Sequence, residues 1–357
     1  MALQGNFATA IGDLVTGLVE ADIANINEAI WQETFGVGSF AAAHNLITGR
    51  RNGQVQPIVL TNDYYGSMPV GDQTSCGLNE CDLTPNYSAK EWCLAEYNCR
   101  IPICMRSFDE EFLVFWNMYR QGLEDPTAEP DAQAFLDYIE QIVRNQILGT
   151  QWRVGYWGDT AETENDLING CDGYFAQAEA GSGEMIAIDA ASPNNPTAEE
   201  IYAAFEKAYD FGIQQIWGSQ PDLVWKTTYA VAAKLVAWLN KMGDTSMYNC
   251  ECFDAAGITG TRRYSVEGLR VFGIPVEAHR EIDLSAAAAG QVDPEAKFKA
   301  LLIRKSNLLI GTNTDSKLEG FDMFYDKTDR KIYIDSMVRL GVMIPLDEYV
   351  YISEQGS

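Results

Sequence analysis

The chain has 357 residues, 46% of them apolar, enough for a large core in one or two domains and too many for a disordered protein. Its 51 acidic residues outnumber 25 basic ones, a net charge of −26, so few cations are left to neutralise phosphates and tight nucleic-acid binding is excluded. No apolar run approaches the roughly 20 residues of a membrane helix, and MALQGNFATAIGDL lacks the basic start of a secretion signal.

The chain has two histidines, His44 and His279, and each is expected to be a structural or surface residue, not a catalytic one. There is no His-rich metal motif, Walker loop or nucleotide-binding glycine fingerprint. No catalytic, cofactor-binding or metal-binding residue is therefore nominated, and no cofactor is expected.

In chain order, the first 35 residues carry an amphipathic pattern through Ile11, Leu14, Val15, Leu18, Ile23, Ile26 and Ile30, which predicts short helices separated by bends. From Gly36 to Pro102 glycine, asparagine and aspartate interrupt the pattern. Gln56–Thr61 and Trp92–Arg100 read as strands around a polar excursion, an extended hairpin too long for an ordinary loop. Gly66, Gly71, Gly77 and Tyr87 mark the part expected to touch another subunit.

Ser107 and Glu110 have capping-box spacing and open a predicted helix with Phe112, Phe115, Trp116 and Tyr119 on it. Asp131–Asp159 is the strongest signal in the chain. Ala132, Phe135, Leu136, Ile139, Ile142, Val143 and Ile147 recur at helical spacing, with Gly149 and Gly155 as expected stops. Next come a strand at Glu184–Asp189, a helix boxed by Thr197 and Glu200, a strand at Ile213–Trp217, and a helix from Pro221 to about Gly243. This alternation predicts a mixed α/β layer. Thr261–Tyr264 is a small basic patch. After it the chain reads as strands: Leu269–Val276 with a bend, Ala300–Arg304, Asn307–Gly311, a hairpin turning at Asp326–Arg330, then Val338–Ile344 and Tyr349–Ile352.

Eight cysteines are present and none shows the C-x2-C spacing of a zinc site. Cys76, Cys81, Cys93 and Cys99 are the candidate disulfide residues. Cys93 and Cys99 share a strand face but lie about 20 Å apart if extended, too far to bridge without a fold-back. A bridge between Cys76 and Cys81, or from the excursion to the returning strand, is easier. Cys171 stands alone in sequence. The other reading is that all eight stay reduced.

The order of arm, two-stranded excursion, long helix, α/β layer and closing hairpins resembles tailed-phage major capsid proteins, the Hong Kong 97-type shell fold shared with bacterial encapsulins. Asp131–Thr150 is similar to the spine helix, residues 57–100 to the extended loop, and Trp157-Gly158-Asp159 followed by Leu167–Tyr174 to the exit into the axial domain. Asn307–Gly311, the hairpin around Asp329 and Val338–Val342 are similar to the closing strands.

The resemblance implies an α+β fold divided into an N-terminal arm (1–50), extended loop (51–105), spine region of the peripheral domain (106–160), axial domain (161–300) and closing strands (301–357). It also implies a non-enzymatic virion protein, assembled in the host cytoplasm. Its partners would be itself as hexamers and pentamers, portal, scaffolding and decoration proteins, and packaged double-stranded DNA held without sequence-specific binding, with no membrane. An encapsulin-type compartment is the alternative. A secreted hydrolase or carbohydrate-binding protein, suggested by the many Trp, Tyr and Asp residues, is disfavoured by the missing signal and acid–base pair.

Overall fold

A computed structural model of the chain describes residues 20–60, 86–104, 132–189, 195–215, 222–242, 265–288, 298–326, 328–329 and 331–354. The expectations at Ser107–Glu110 and Thr261–Tyr264, and Gly66, Gly71, Gly77, Cys76 and Cys81, lie outside them.

The first elements are helix α1 (Glu20–Trp31), a π-helical turn (Gln32–Gly36), α2 (Ser39–Ala43), and strands β1 (Asn45–Ile47), β2 (Val55–Leu60), β3 (Asn86–Glu91) and β4 (Ala95–Cys104). The long helix α3 (Ala132–Trp157) and α4 (Tyr174–Ala180) follow, then β5 (Glu184–Ile188), α5 (Ala198–Gln215), β6 (Leu223–Thr228) and α6 (Tyr229–Met242). The chain continues through β7 (Arg270–Val271), β8 (Ile274–His279), α7 (Arg280–Ala288), β9 (Ala300–Arg304), β10 (Leu309–Thr312), β11 (Gly320–Asp326), β12 (Lys331–Met343) and β13 (Tyr349–Glu354).

β12 organises the first sheet. One of its edges pairs antiparallel with β4 along residues 331–340; the other pairs with β11 and then β10, and β1 adds parallel to β10. Ile332, Ile334, Val338, Leu340 and Val342 point inward with period two, while Lys331, Tyr333, Asp335 and Arg339 alternate outward. α3 lies against the inward face with Ile139, Val143 and Ile147 in the same core. Ile139 and Val143 are fully buried, as their spacing predicts.

The expected stops at Gly149 and Gly155 do not end this helix, which runs to Trp157. A helical glycine costs only about 1 kcal/mol, which tertiary packing offsets. At Gly155 the Phe40 ring packs against the helix backbone where a Cβ would sit.

The second sheet runs β5-β13-β9-β6-β8-β7, mixing parallel and antiparallel pairs. All six residues of β6 are buried. Val224 faces the α3 core, whereas Leu223 and Trp225 join α5 and α6 in a second core. Thr197 and Glu200 make the predicted capping box at α5: Thr197 N–H donates to Glu200 Oε2 (2.6 Å) and Glu200 N–H to Thr197 Oγ1 (3.3 Å).

Three expectations are corrected in this region. Ile213–Gln215 complete helix α5 and are not a strand, because its apolar stripe continues to Gly212, seated against Leu302. Leu223–Thr228 form a buried strand, and the helix starts only at Tyr229. Its first amides are capped by Asp283 of α7, which accepts from Tyr229 N–H (2.6 Å) and Ala230 N–H (3.3 Å). Leu269–Val276 is a hairpin, not one bent strand. Phe272 and Gly273 at its turn both have positive φ, as a two-residue type I′ loop requires.

Candidate assembly site, the hairpin and its root

β2 and β3 form a third, two-stranded sheet, in register from Val55 opposite Glu91 to Leu60 opposite Asn86. The hairpin partner expected from sequence, Trp92–Arg100, is thus replaced by Asn86–Glu91, while β4 joins β12 instead. Tyr87 lies in β3 opposite Val59. Val55 is 50% exposed, and Pro57, Ala89 and Glu91 are also exposed. A two-stranded hairpin with one face open to solvent is marginal in water on its own. What fixes this one is its root.

Trp92 is the anchor. It is 1% exposed, with Leu94 and Met343 beside it and Ile47 and Leu309 packed around them. Its ring lies so close to Gly311 that a Cβ there would stand 2.6 Å from Cζ3. Trp92 Nε1 is buried without an acceptor, a cost on the order of 1–3 kcal/mol that the ring's packing must exceed. The backbone closes around it: Trp92 N–H donates to Gln54 O (2.9 Å), Gly53 N–H to Trp92 O (2.7 Å), and Leu94 N–H to Asn52 Oδ1 (3.1 Å). At Gly341 any side chain would collide with the Cys93 carbonyl.

Two further ties orient the hairpin. Lys90 Nζ donates to Ile344 O (2.8 Å) and Asp347 Oδ1 (2.6 Å), and Ser182 Oγ donates to Asp347 Oδ2 (2.8 Å). Burial works against the Asp347 carboxylate, but the Lys90 and Ser182 hydrogen bonds hold its pKa below the usual range. Cys93 is disulfide-bonded to Cys171, the cysteine that stood alone in sequence, with 5.8 Å between their Cα atoms. Cys99 keeps a free thiol on β4 opposite Ser336; burial, helped by Asp335, raises its pKa.

Behind the root, a polar cluster joins the two sheets. His44 is buried between Phe40 O (2.8 Å from Nδ1) and the Tyr156 hydroxyl (2.9 Å from Nε2). A carbonyl only accepts, so Nδ1 carries the proton and Tyr156 donates to Nε2. Lys226, with a fully buried side chain, donates to Ala43 O (3.0 Å) and to Glu277, which Lys305 also approaches (3.6 Å). Burial lowers the Lys226 pKa. Burial also opposes the Glu277 charge, yet Lys226 beside it keeps that carboxyl below its ordinary range. His279 packs on Trp152 with ring centroids 4.7 Å apart. These charges face one another and the Ala43 carbonyl, an arrangement that ties elements together. Among the described residues, no group of three or more His, Cys, Asp or Glu is placed to hold a metal ion, and no helix is long and apolar enough to cross a membrane.

No protein-family model matches the chain, and no curated protein matches it in sequence. Solved structures do match in fold. A chain of the satellite phage P4 procapsid including size determination (Sid) protein is 11% identical, with a TM-score of 0.54 over 91% of this chain and 96% of that one. A chain of the capsid of an empty GTA particle is 12% identical, with a TM-score of 0.53 over 89% and 90%. One from Gordonia phage Cozz is 11% identical, with a TM-score of 0.51 over 89% and 86%. At these identities the likeness is one of fold.

Proposed function

We propose that this protein is the major capsid protein of a tailed bacteriophage, a non-enzymatic shell subunit of the Hong Kong 97 type. The observation that carries the reading is the β2–β3 hairpin: the face bearing Val55, Pro57, Ala89 and Glu91 is exposed, yet the hairpin is held at its root by Trp92, Lys90 and a disulfide. A rigidly aimed strand pair without its own core suits a surface that another copy completes. The fold it shares with a phage procapsid chain and a GTA capsid chain, over about nine-tenths of its length, supports the same reading.

In this proposal residues 1–50 are the arm, 51–105 the extended loop, 106–160 the spine region, 161–300 the axial domain and 301–357 the closing strands. Copies assemble in the host cytoplasm into hexamers and pentamers, with portal, scaffolding and decoration proteins as further partners. The net charge of −26 suits a wall that encloses double-stranded DNA without adhering to it.

Negative-stain electron microscopy and light scattering of the purified protein test the assignment. Closed shells, or rings of five and six copies, are expected. A monodisperse monomer at assembly concentrations contradicts it, and shells filled with protein cargo would assign the chain to a compartment instead.

A further inference from the structure

Cys93 and Cys171 lie 78 residues apart in sequence, on two segments that also touch through Gly170 and β4. Cys93 sits in the link between the hairpin and β4, flanked by buried Trp92 and Leu94, and its carbonyl is seated against Gly341. Cys171 belongs to the turn that leaves α3. That turn is fixed by Asp159 N–H donating to Ile168 O (2.9 Å), Gly173 N–H to Gly158 O (2.8 Å) and Thr160 N–H to Asp172 Oδ1 (2.8 Å). Gly170, next to Cys171, lies against β4: a Cβ there would stand 2.6 Å from the Tyr97 hydroxyl and 2.7 Å from the Ala95 Cβ. The two backbones are thus held side by side by contacts other than the bond, and their Cα atoms lie 5.8 Å apart, inside the usual disulfide range. Accessibility is unequal. Cys93 is exposed, whereas Cys171 is 1% exposed.

We propose that Cys93 and Cys171 form a redox-gated staple at the root of the hairpin, open as a dithiol in a reducing compartment and closed in an oxidising one. Closure needs an oxidant, and a small-molecule disulfide supplies it. The Cys93 thiol loses its proton, and its thiolate attacks one sulfur of that disulfide, expelling a thiolate and leaving a mixed disulfide on Cys93. Cys171, deprotonated in turn, attacks the Cys93 sulfur and expels the second thiolate. The two cysteines have lost two electrons and two protons, and the small disulfide has become two thiols. The staple fastens the hairpin to the exit of α3, so a fold that forms without the bond is then locked against loosening there. Only its consequence for a shell rests on the capsid reading.

The test equilibrates the full chain in oxidised or reduced glutathione, quenches by alkylation, maps the cysteines and records thermal unfolding. Oxidised glutathione should give one intramolecular Cys93–Cys171 bond, and reduced glutathione should open it with an unchanged far-ultraviolet spectrum. The oxidised form should melt higher by about 5 °C, and Cys93→Ser should abolish that difference. The proposal fails if Cys93 pairs with a different cysteine, or if both residues stay thiols in oxidised glutathione. It also fails if the bond resists reduced glutathione in the native protein, or if the melting difference persists in Cys93→Ser. Particle formation is read separately by microscopy, so losing the capsid reading would leave this result standing.

Discussion

His44 shows how one buried side chain sets the protein's response to acid. Burial, then the charge of Lys226, pushes its pKa well below 6.5, and burial pushes His279 down as well. Unfolded histidines bind a proton as pH falls through about 6.5, while the folded ones resist it, so below that pH the unfolded state holds more protons. Their contribution is fully present above pH 6.5 and is lost as pH falls. The slope approaches about 1.4 kcal/mol per pH unit for each histidine. Denaturant midpoints should therefore drop between pH 7 and pH 5.5, and His44→Gln should flatten the drop; a midpoint constant over that range would contradict this account. Trp92→Ala should cost about 3–5 kcal/mol and open the hairpin base to proteases, read by chemical denaturation and limited proteolysis. Their rarity and the lack of a metal pattern left both histidines as structural or surface residues; the burial of His44 was not legible. Trp92 was legible only as an apolar strand residue. Its true partners, Gly311 and Met343, lie more than 200 positions away, and nothing local announces them.

At the scale of elements, what could be read was whatever rests on local periodicity. The body of α3 was legible because seven apolar residues repeat at helical spacing; its end was not, because the helix runs through Gly149 and through Gly155, where Phe40 from another element packs, to Trp157. β3 was missed because Asn-Tyr-Ser-Ala-Lys-Glu has no strand signature and is a strand only by pairing with β2. β6 was taken for a helix because its six residues are buried on both faces and show no alternation, and the real helix start is capped by Asp283, 54 residues later. Ile139→Asp would place an unpaired carboxylate against the β12 face, costing several kcal/mol, and should send the subunit into the insoluble fraction. A mutant as soluble as the parent would mean that this face of α3 is not core. The hairpin invites a cleaner experiment. Leu60 and Asn86 are paired, so an Asn-Gly turn in place of residues 61–85 should close a short hairpin on the same root. The variant should keep the parent's far-ultraviolet spectrum and melting behaviour but form no particles. Particles of normal size from this variant would remove the hairpin from the assembly mechanism.

For the whole molecule, composition and element order led to a fold class, and the resemblance led to a self-assembling shell. The order of strands within each sheet was not legible. β4 pairs with β12 across more than 225 residues, and the closing segment divides between two sheets, β10 to β12 in one and β9 and β13 in the other. Such crossovers are fixed by which apolar faces meet, and one sequence carries no record of that. In the proposed function this fold, with its rooted hairpin, does its work between copies of itself. A cryo-electron microscopy reconstruction of the assembled protein tests it most directly. The expected result is an icosahedral shell in which β2 and β3 lie across a neighbouring subunit, with Val55 covered there. A hairpin folded back over its own subunit, or a protein that stays monomeric under every assembly condition, would contradict it.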